Sequence, residues 1–172
     1  MSGKIIKDFN NEDFRTYSNE HIFYEIDKLL KARDFILLNG SSGLLNMFAI
    51  ESFVIHLRNL IFFLYPPPPP KNHKNTDIYA KYFLSDPEEW KEVISESLKK
   101  ARARANKEVE HLTTQRIAGA PPEKIWPVAE LTEEILPILK SFCDRADRGK
   151  LDMVISKISH DHWKVTPGKA TL

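Results

Sequence analysis

Residues 44–65 read L-L-N-M-F-A-I-E-S-F-V-I-H-L-R-N-L-I-F-F-L-Y. The run is about long enough to span a membrane, but Glu51, His56, Arg58 and Asn59 interrupt it, and charged side chains are costly in hydrocarbon. It therefore reads as the buried central helix of a helical domain. The helix opens near Ser42 or Gly43 and stops at Pro66, the first of five consecutive prolines that supply no amide donors and favour polyproline II geometry. At 100° per residue, Glu51 and Arg58 fall on one polar line of this helix, while Ser52, His56 and Asn59 form a second. Charges on a central helix need partners, so both lines predict pairing with neighbouring helices or a site built there.

Working outward, Ile22, Ile26, Leu29, Leu30, Arg33, Ile36 and Leu37 recur at helical spacing and predict a helix over 19–38, capped by Ser18 or Asn19 and ended by Asn39 and Gly40. Residues 1–18 are polar with scattered anchors and read as an irregular arm. The apolar residues of 77–84 predict a helical turn. Asp86 followed by Pro87, Glu88 and Glu89 is a helix-start signal, and the stripe Trp90, Ile94, Leu98, Ala101, Ala105, Val109 and Leu112 extends that helix over 87–114. A fourth helix is expected over 127–147, with Pro137 kinking or splitting it. Residues 151–158 fit one short helix, and 159–172 a fraying tail. Strand-like alternation is absent. The expectation is one all-α domain over 1–172, an antiparallel bundle of four main helices with short accessory helices.

Composition bounds the function. The 172 residues are 42% hydrophobic and 28% charged, as in a folded soluble domain. The 25 Lys and Arg nearly cancel the 24 Asp and Glu, so any nucleic-acid site must be local. Cys143 is the single cysteine, which excludes an intramolecular disulfide and fits a small buried apolar residue. With no signal-like amino terminus, a cytoplasmic location is expected. His160 and His162 with Asp161 lack a fourth nearby ligand and read as solvated, so neither a metal nor a cofactor is expected. Phosphate-binding glycine loops and nucleophile elbows are absent.

Arg104 to His111 reads R-A-N-K-E-V-E-H, with Arg104, Glu108 and His111 on one helix line. This segment resembles the R-x(4–6)-H signature of HEPN domains, helical bundles many of which are metal-independent ribonucleases that act as dimers in toxin–antitoxin and phage-defence systems. The resemblance implies that Arg104 and His111 are catalytic, positioning the scissile phosphate and assisting attack by the neighbouring 2′-hydroxyl, with Asn106 in a lesser role. Ala105 departs from the family, which often has a polar residue directly after the arginine. Arg15 and His21 fit the same spacing. The chemistry suits the residues: arginine is a permanently charged fork for phosphate and histidine exchanges protons near neutral pH.

Residues 49–65 and 111–116 are also similar to uncharacterised bacterial proteins with a Glu–Ser–Phe–x–x–His–x–Arg–Asn–Leu helix and a later His–Leu–Thr–x–x–Arg segment. That likeness implies one cluster of Glu51, His56, Arg58, His111 and Arg116, either a binding site or a buried polar network. The expected function is a HEPN-like endoribonuclease or RNA-binding protein, working as a homodimer on RNA or with a partner protein and without a membrane. Two alternatives stand beside it. One is a non-enzymatic helical module for protein interaction or oligomerisation, and the other is a small-ligand pocket lined by Tyr24, Phe53, Phe62 and Trp90.

Overall fold

The computed structural model describes residues 6–39, 43–66, 76–110 and 125–152, all-α with no strand among the described residues. Helix α1 (Asn11–Tyr17) passes through a wide π-helical turn (Ser18–Ile22) into α2 (Phe23–Asn39). Helix α3 (Leu44–Leu64) returns along α2, and short 3-10 turns follow at Ala80–Phe83 and Pro87–Glu89. Helix α4 (Glu96–Ala105), extended by a π-helical turn (Asn106–Glu110), and α5 (Val128–Arg145) pack on the α2–α3 pair. The bundle expected from the helical periodicity is thus formed.

Helix α3 is the one described helix long and apolar enough to cross a membrane by length and composition. Its carboxy-terminal two-thirds is the spine of the bundle: Phe53, Leu57, Leu60, Ile61 and Leu64 are buried, packed by Ile26 and Leu29 of α2, Leu98 of α4 and Ile135 and Leu139 of α5. An aromatic cluster closes the end where α3 stops. Phe142 meets Phe63 edge-on at 5.0 Å between centroids, Phe83 at 5.7 Å and Trp90 at 6.2 Å. Edge-to-face pairs of this kind add to the area they bury.

Three boundaries differ from the sequence reading. The first helix begins at Asn11, inside the expected arm, because Asn10 and Asp13 form a reciprocal capping box with hydrogen bonds of 2.9 and 3.0 Å. Phe14 is then buried against Phe83, and Ser18, expected as a cap, instead accepts the Asp152 amide at 2.8 Å. At the third helix Asp86 caps as expected, accepting the Glu88 amide at 2.9 Å, but only one 3-10 turn follows. The Trp90 indole N–H donates to the Leu64 carbonyl at 2.7 Å, drawing the chain across the end of α3 in extended form. The α-helix restarts at Glu96 with Ser95 as cap. Residues 111–114 and the tail lie outside the described residues. Finally, of the kink or split expected at Pro137, the split does not occur: α5 is one helix from Val128 to Arg145 with Pro137 inside it. Pro137 and Glu133, whose carbonyl loses its helical donor, are both exposed, so water can serve that carbonyl.

Burial pushes the Cys143 thiol and the Tyr65 phenol up to about 12, the carboxylates of Asp144 and of Glu92 and Glu134 adding to it, respectively. Burial and the neighbouring Asp77 carboxylate do the same for Tyr79. Each group holds its proton longer in the folded than in the unfolded chain. Their contribution is complete below the unfolded values and is lost as pH rises through the folded ones.

Two predictions follow from the packing. Phe142→Ala should lower the unfolding free energy by about 3–5 kcal/mol, read from urea denaturation, while Val93→Ala on the exposed surface changes it by less than about 0.5 kcal/mol. The urea midpoint should also fall between about pH 8 and about pH 10.5, and part of that fall should vanish in Cys143→Ala. An unchanged midpoint contradicts the burial of these protons.

Candidate functional site

The antiparallel crossing of α2 and α3 joins their polar residues. His56, buried on α3, shares a 2.7 Å hydrogen bond between its Nδ1 and Glu25 Oε2 of α2. The Tyr24 ring stands edge-on to the imidazole at 5.5 Å. Asn59, one turn further along α3, donates from Nδ2 to both Glu25 oxygens at 3.3 Å. Glu25 therefore grips α3 at two successive turns, and the carboxylate orients the ring as in many histidine sites.

Arg58 carries the network on to the next helix. Its Nη1 donates to Asn59 Oδ1 at 3.2 Å, and its Nε donates to Asn106 Oδ1 in the π-helical turn after α4. His56, Glu25, Asn59, Arg58 and Asn106 are thereby one continuous chain of polar contacts spanning three helices. It opens on one side to a cleft of about 370 Å³ lined by Tyr17, His21, Glu25, Arg58, Asn59 and Phe62. Asp77 lies on the same wall. Burial first, then the carboxylates of Glu25 and Asp77, raise the Tyr17 phenol above its ordinary range, keeping it a hydrogen-bond donor at neutral pH.

Arg104 has other contacts. Its Nε donates to Glu108 at 2.8 Å, its Nη1 to the Ile125 carbonyl at 3.1 Å, and the guanidinium lies over the Trp126 ring at 4.1 Å. It walls a separate, mainly apolar groove with Ile125, Trp126, Pro127 and Leu131. Of the cluster implied by the likeness to the bacterial proteins, His56 and Arg58 belong to one network. Glu51 is exposed two turns away and has no ion pair among the described residues. His111 and Arg116 lie outside the described residues.

The four residues expected to line a small-ligand pocket separate: Tyr24 is exposed, Phe53 is in the core, Trp90 packs on Phe142, and Phe62 alone faces the cleft. Among the described residues no group of three or more His, Cys, Asp or Glu is placed to hold a metal. Glu25 and Asn59 complete the network, and the reading of polar lines on the α3 sequence alone did not supply Glu25. The signal was there, since Tyr24 and Glu25 interrupt an otherwise apolar run between Ile22 and Ile26.

If Glu25 and His56 act as a pair, each single replacement by alanine lowers the unfolding free energy. The double replacement then costs less than the two singles combined, by about 0.5–3 kcal/mol in urea denaturation; strict additivity would show that the contact contributes nothing. Compared with known protein families, curated proteins and solved structures, the chain matches none, so its function is argued from this geometry.

Proposed function

We propose that this chain is a HEPN-like RNA-acting protein, a metal-independent endoribonuclease or an RNA binder of a defence or toxin–antitoxin type, with Arg58 as its phosphate-binding group. The Arg58–Asn106 hydrogen bond carries the reading. It sets the R-A-N segment against the H-x-R-N segment of α3, so residues from both resemblances share one network beside an open cleft.

Cleavage by the 2′-hydroxyl needs three things: a base for that hydroxyl, an acid for the departing 5′-oxygen, and a cation on the non-bridging oxygens. Arg58 is the cation. His56, oriented by Glu25, and His21 on the cleft wall are the histidines near it, and the resemblance adds His111 as the proton carrier. The 2′-oxygen bonds to phosphorus as the 5′-oxygen leaves with a proton, giving a 2′,3′-cyclic phosphate and a 5′-hydroxyl end. Arg104, engaged by Glu108, the Ile125 carbonyl and Trp126, serves in this reading as a positioning residue for the turn that holds Asn106.

A second reading, a non-enzymatic interaction or oligomerisation module, draws support from the large apolar side chains exposed where α2 meets α3. In that case the polar network only locks the helices together.

Incubating the full chain with total RNA in EDTA separates the two. The proposal predicts cyclic-phosphate ends from the wild type and a loss of about 100-fold or more in folded Arg58→Ala and His111→Ala. Arg104→Ala should retain more activity than Arg58→Ala. A folded wild type that neither cleaves nor binds RNA favours the interaction module.

A further inference from the structure

The hairpin of α2 and α3 ends in a segment without charge. Between Asp34 and Glu51 lie sixteen residues with no Asp, Glu, Lys, Arg or His, in a chain that is 28% charged. The large side chains there face outward: Leu38 at the end of α2 is 79% exposed, and Leu44, Leu45, Met47 and Phe48 at the start of α3 are 64, 68, 59 and 55% exposed. At 100° per residue those four side chains of α3 spread over roughly 160° of the helix. Asn46 lies on the opposite side, buried, with neither end of its amide hydrogen-bonded among the described residues. Water favours the reverse, hydrating amides and gathering leucines inside. Polar groups turned in and apolar groups turned out are the pattern of a helix surrounded by hydrocarbon.

We propose that the hairpin tip inserts into the surface of a lipid bilayer, anchoring the chain to one leaflet without spanning it. Breadth selects this occupant. A groove on another protein covers one stripe of a helix, roughly 100° wide. Here apolar side chains cover nearly half of the circumference of α3 and continue onto α2 at Phe35 and Leu38. Depth agrees. At 1.5 Å per residue, Leu44 lies about 10 Å from Glu51 along α3 and Leu38 about 6 Å from Asp34 along α2, against the roughly 5–10 Å to which interfacial segments enter. Glu51, His56, Arg58 and Asn59, the residues that argue against a membrane-spanning α3, all lie at or beyond the edge of the tip. Helix α3 goes no deeper, because its later turns are held inside the bundle by α4 and α5.

The charges that border the tip define the lipid. Arg33 pairs with Asp34 at 2.6 Å and Lys31 with Asp27 at 2.9 Å, Lys28 sits over the Tyr24 ring, and Glu51 is exposed. Three cations and three carboxylates thus leave the border without net charge. Such a border complements zwitterionic headgroups, which present both signs, and gains nothing from an anionic surface. Attachment is carried by the apolar tip. Arg58, two turns beyond Glu51, stays in water with its cleft.

Sedimentation of the full chain with sucrose-loaded phosphatidylcholine vesicles tests the anchor and reads neither RNA binding nor cleavage, so each proposal can fail alone. The wild type should pellet with the vesicles. Its partitioning should change less than about twofold when about 30% phosphatidylserine is added or salt is raised from about 0.1 to about 0.5 M. Leu45→Asp and Phe48→Asp should each lower partitioning about tenfold or more with unchanged helical circular dichroism, while Val93→Asp, at an exposed residue outside the tip, leaves it unchanged. A folded wild type that stays in the supernatant overturns the proposal, whether it is monomeric or associated through the tip. So does binding that follows the phosphatidylserine content and falls with salt, and so do tip variants that pellet like the wild type.

Discussion

The grip of Glu25 on α3 is the contact on which the rest of the architecture turns. A carboxylate on α2 that reaches both His56 and Asn59 fixes the height at which the two long helices cross. Everything else is placed relative to that height. Below it, α4 and α5 pack on the apolar sides of α3 and the aromatic residues close the bundle. Above it, the hairpin tip extends beyond the helices that cover the lower part. The cost of burying a histidine and half-burying a carboxylate is offset by making them each other's partners.

The same contact explains how structure and chemistry share residues here. Asn59 and Arg58 are consecutive on α3, so they leave it at different angles, one toward Glu25 and one toward Asn106. A stabilising pair and the arginine proposed to bind phosphate thus belong to a single network. Polar networks that are satisfied in this way are rigid, and rigidity is what a site needs to hold an anion in one geometry. Arg102 uses the same economy elsewhere, donating to the Tyr65 carbonyl at the end of α3 and so satisfying a helix terminus.

Much of the fold was legible because helical periodicity is local. The apolar rows on residues 19–38 and 127–147 each predict one buried face, and those faces are buried. The helix starts were harder for a physical reason. Asp86–Pro87 is a sound start signal and does start a turn, but the Trp90–Leu64 hydrogen bond spans distant positions and overrides it. The site was legible only in part. His56 and Arg58 stood out as polar residues on helical lines, and Asn106 only through the resemblance of its segment. Their connection depended on Glu25, thirty-one residues from His56, and no spacing rule reports a tertiary pairing. Arg104 shows the converse, since its spacing to a histidine stands out in the sequence while its stacking on Trp126 does not.

In the proposed function Arg58 faces an RNA phosphate in the cleft beside Tyr17, His21 and Phe62. Photo-crosslinking of a 4-thiouridine RNA to the full chain, with adducts mapped by mass spectrometry, locates bound RNA directly. The account predicts adducts on the peptides that carry those three residues, lost when Arg58 is replaced. Adducts confined to the Trp126 groove or the hairpin tip, or unchanged in Arg58→Ala, would contradict it.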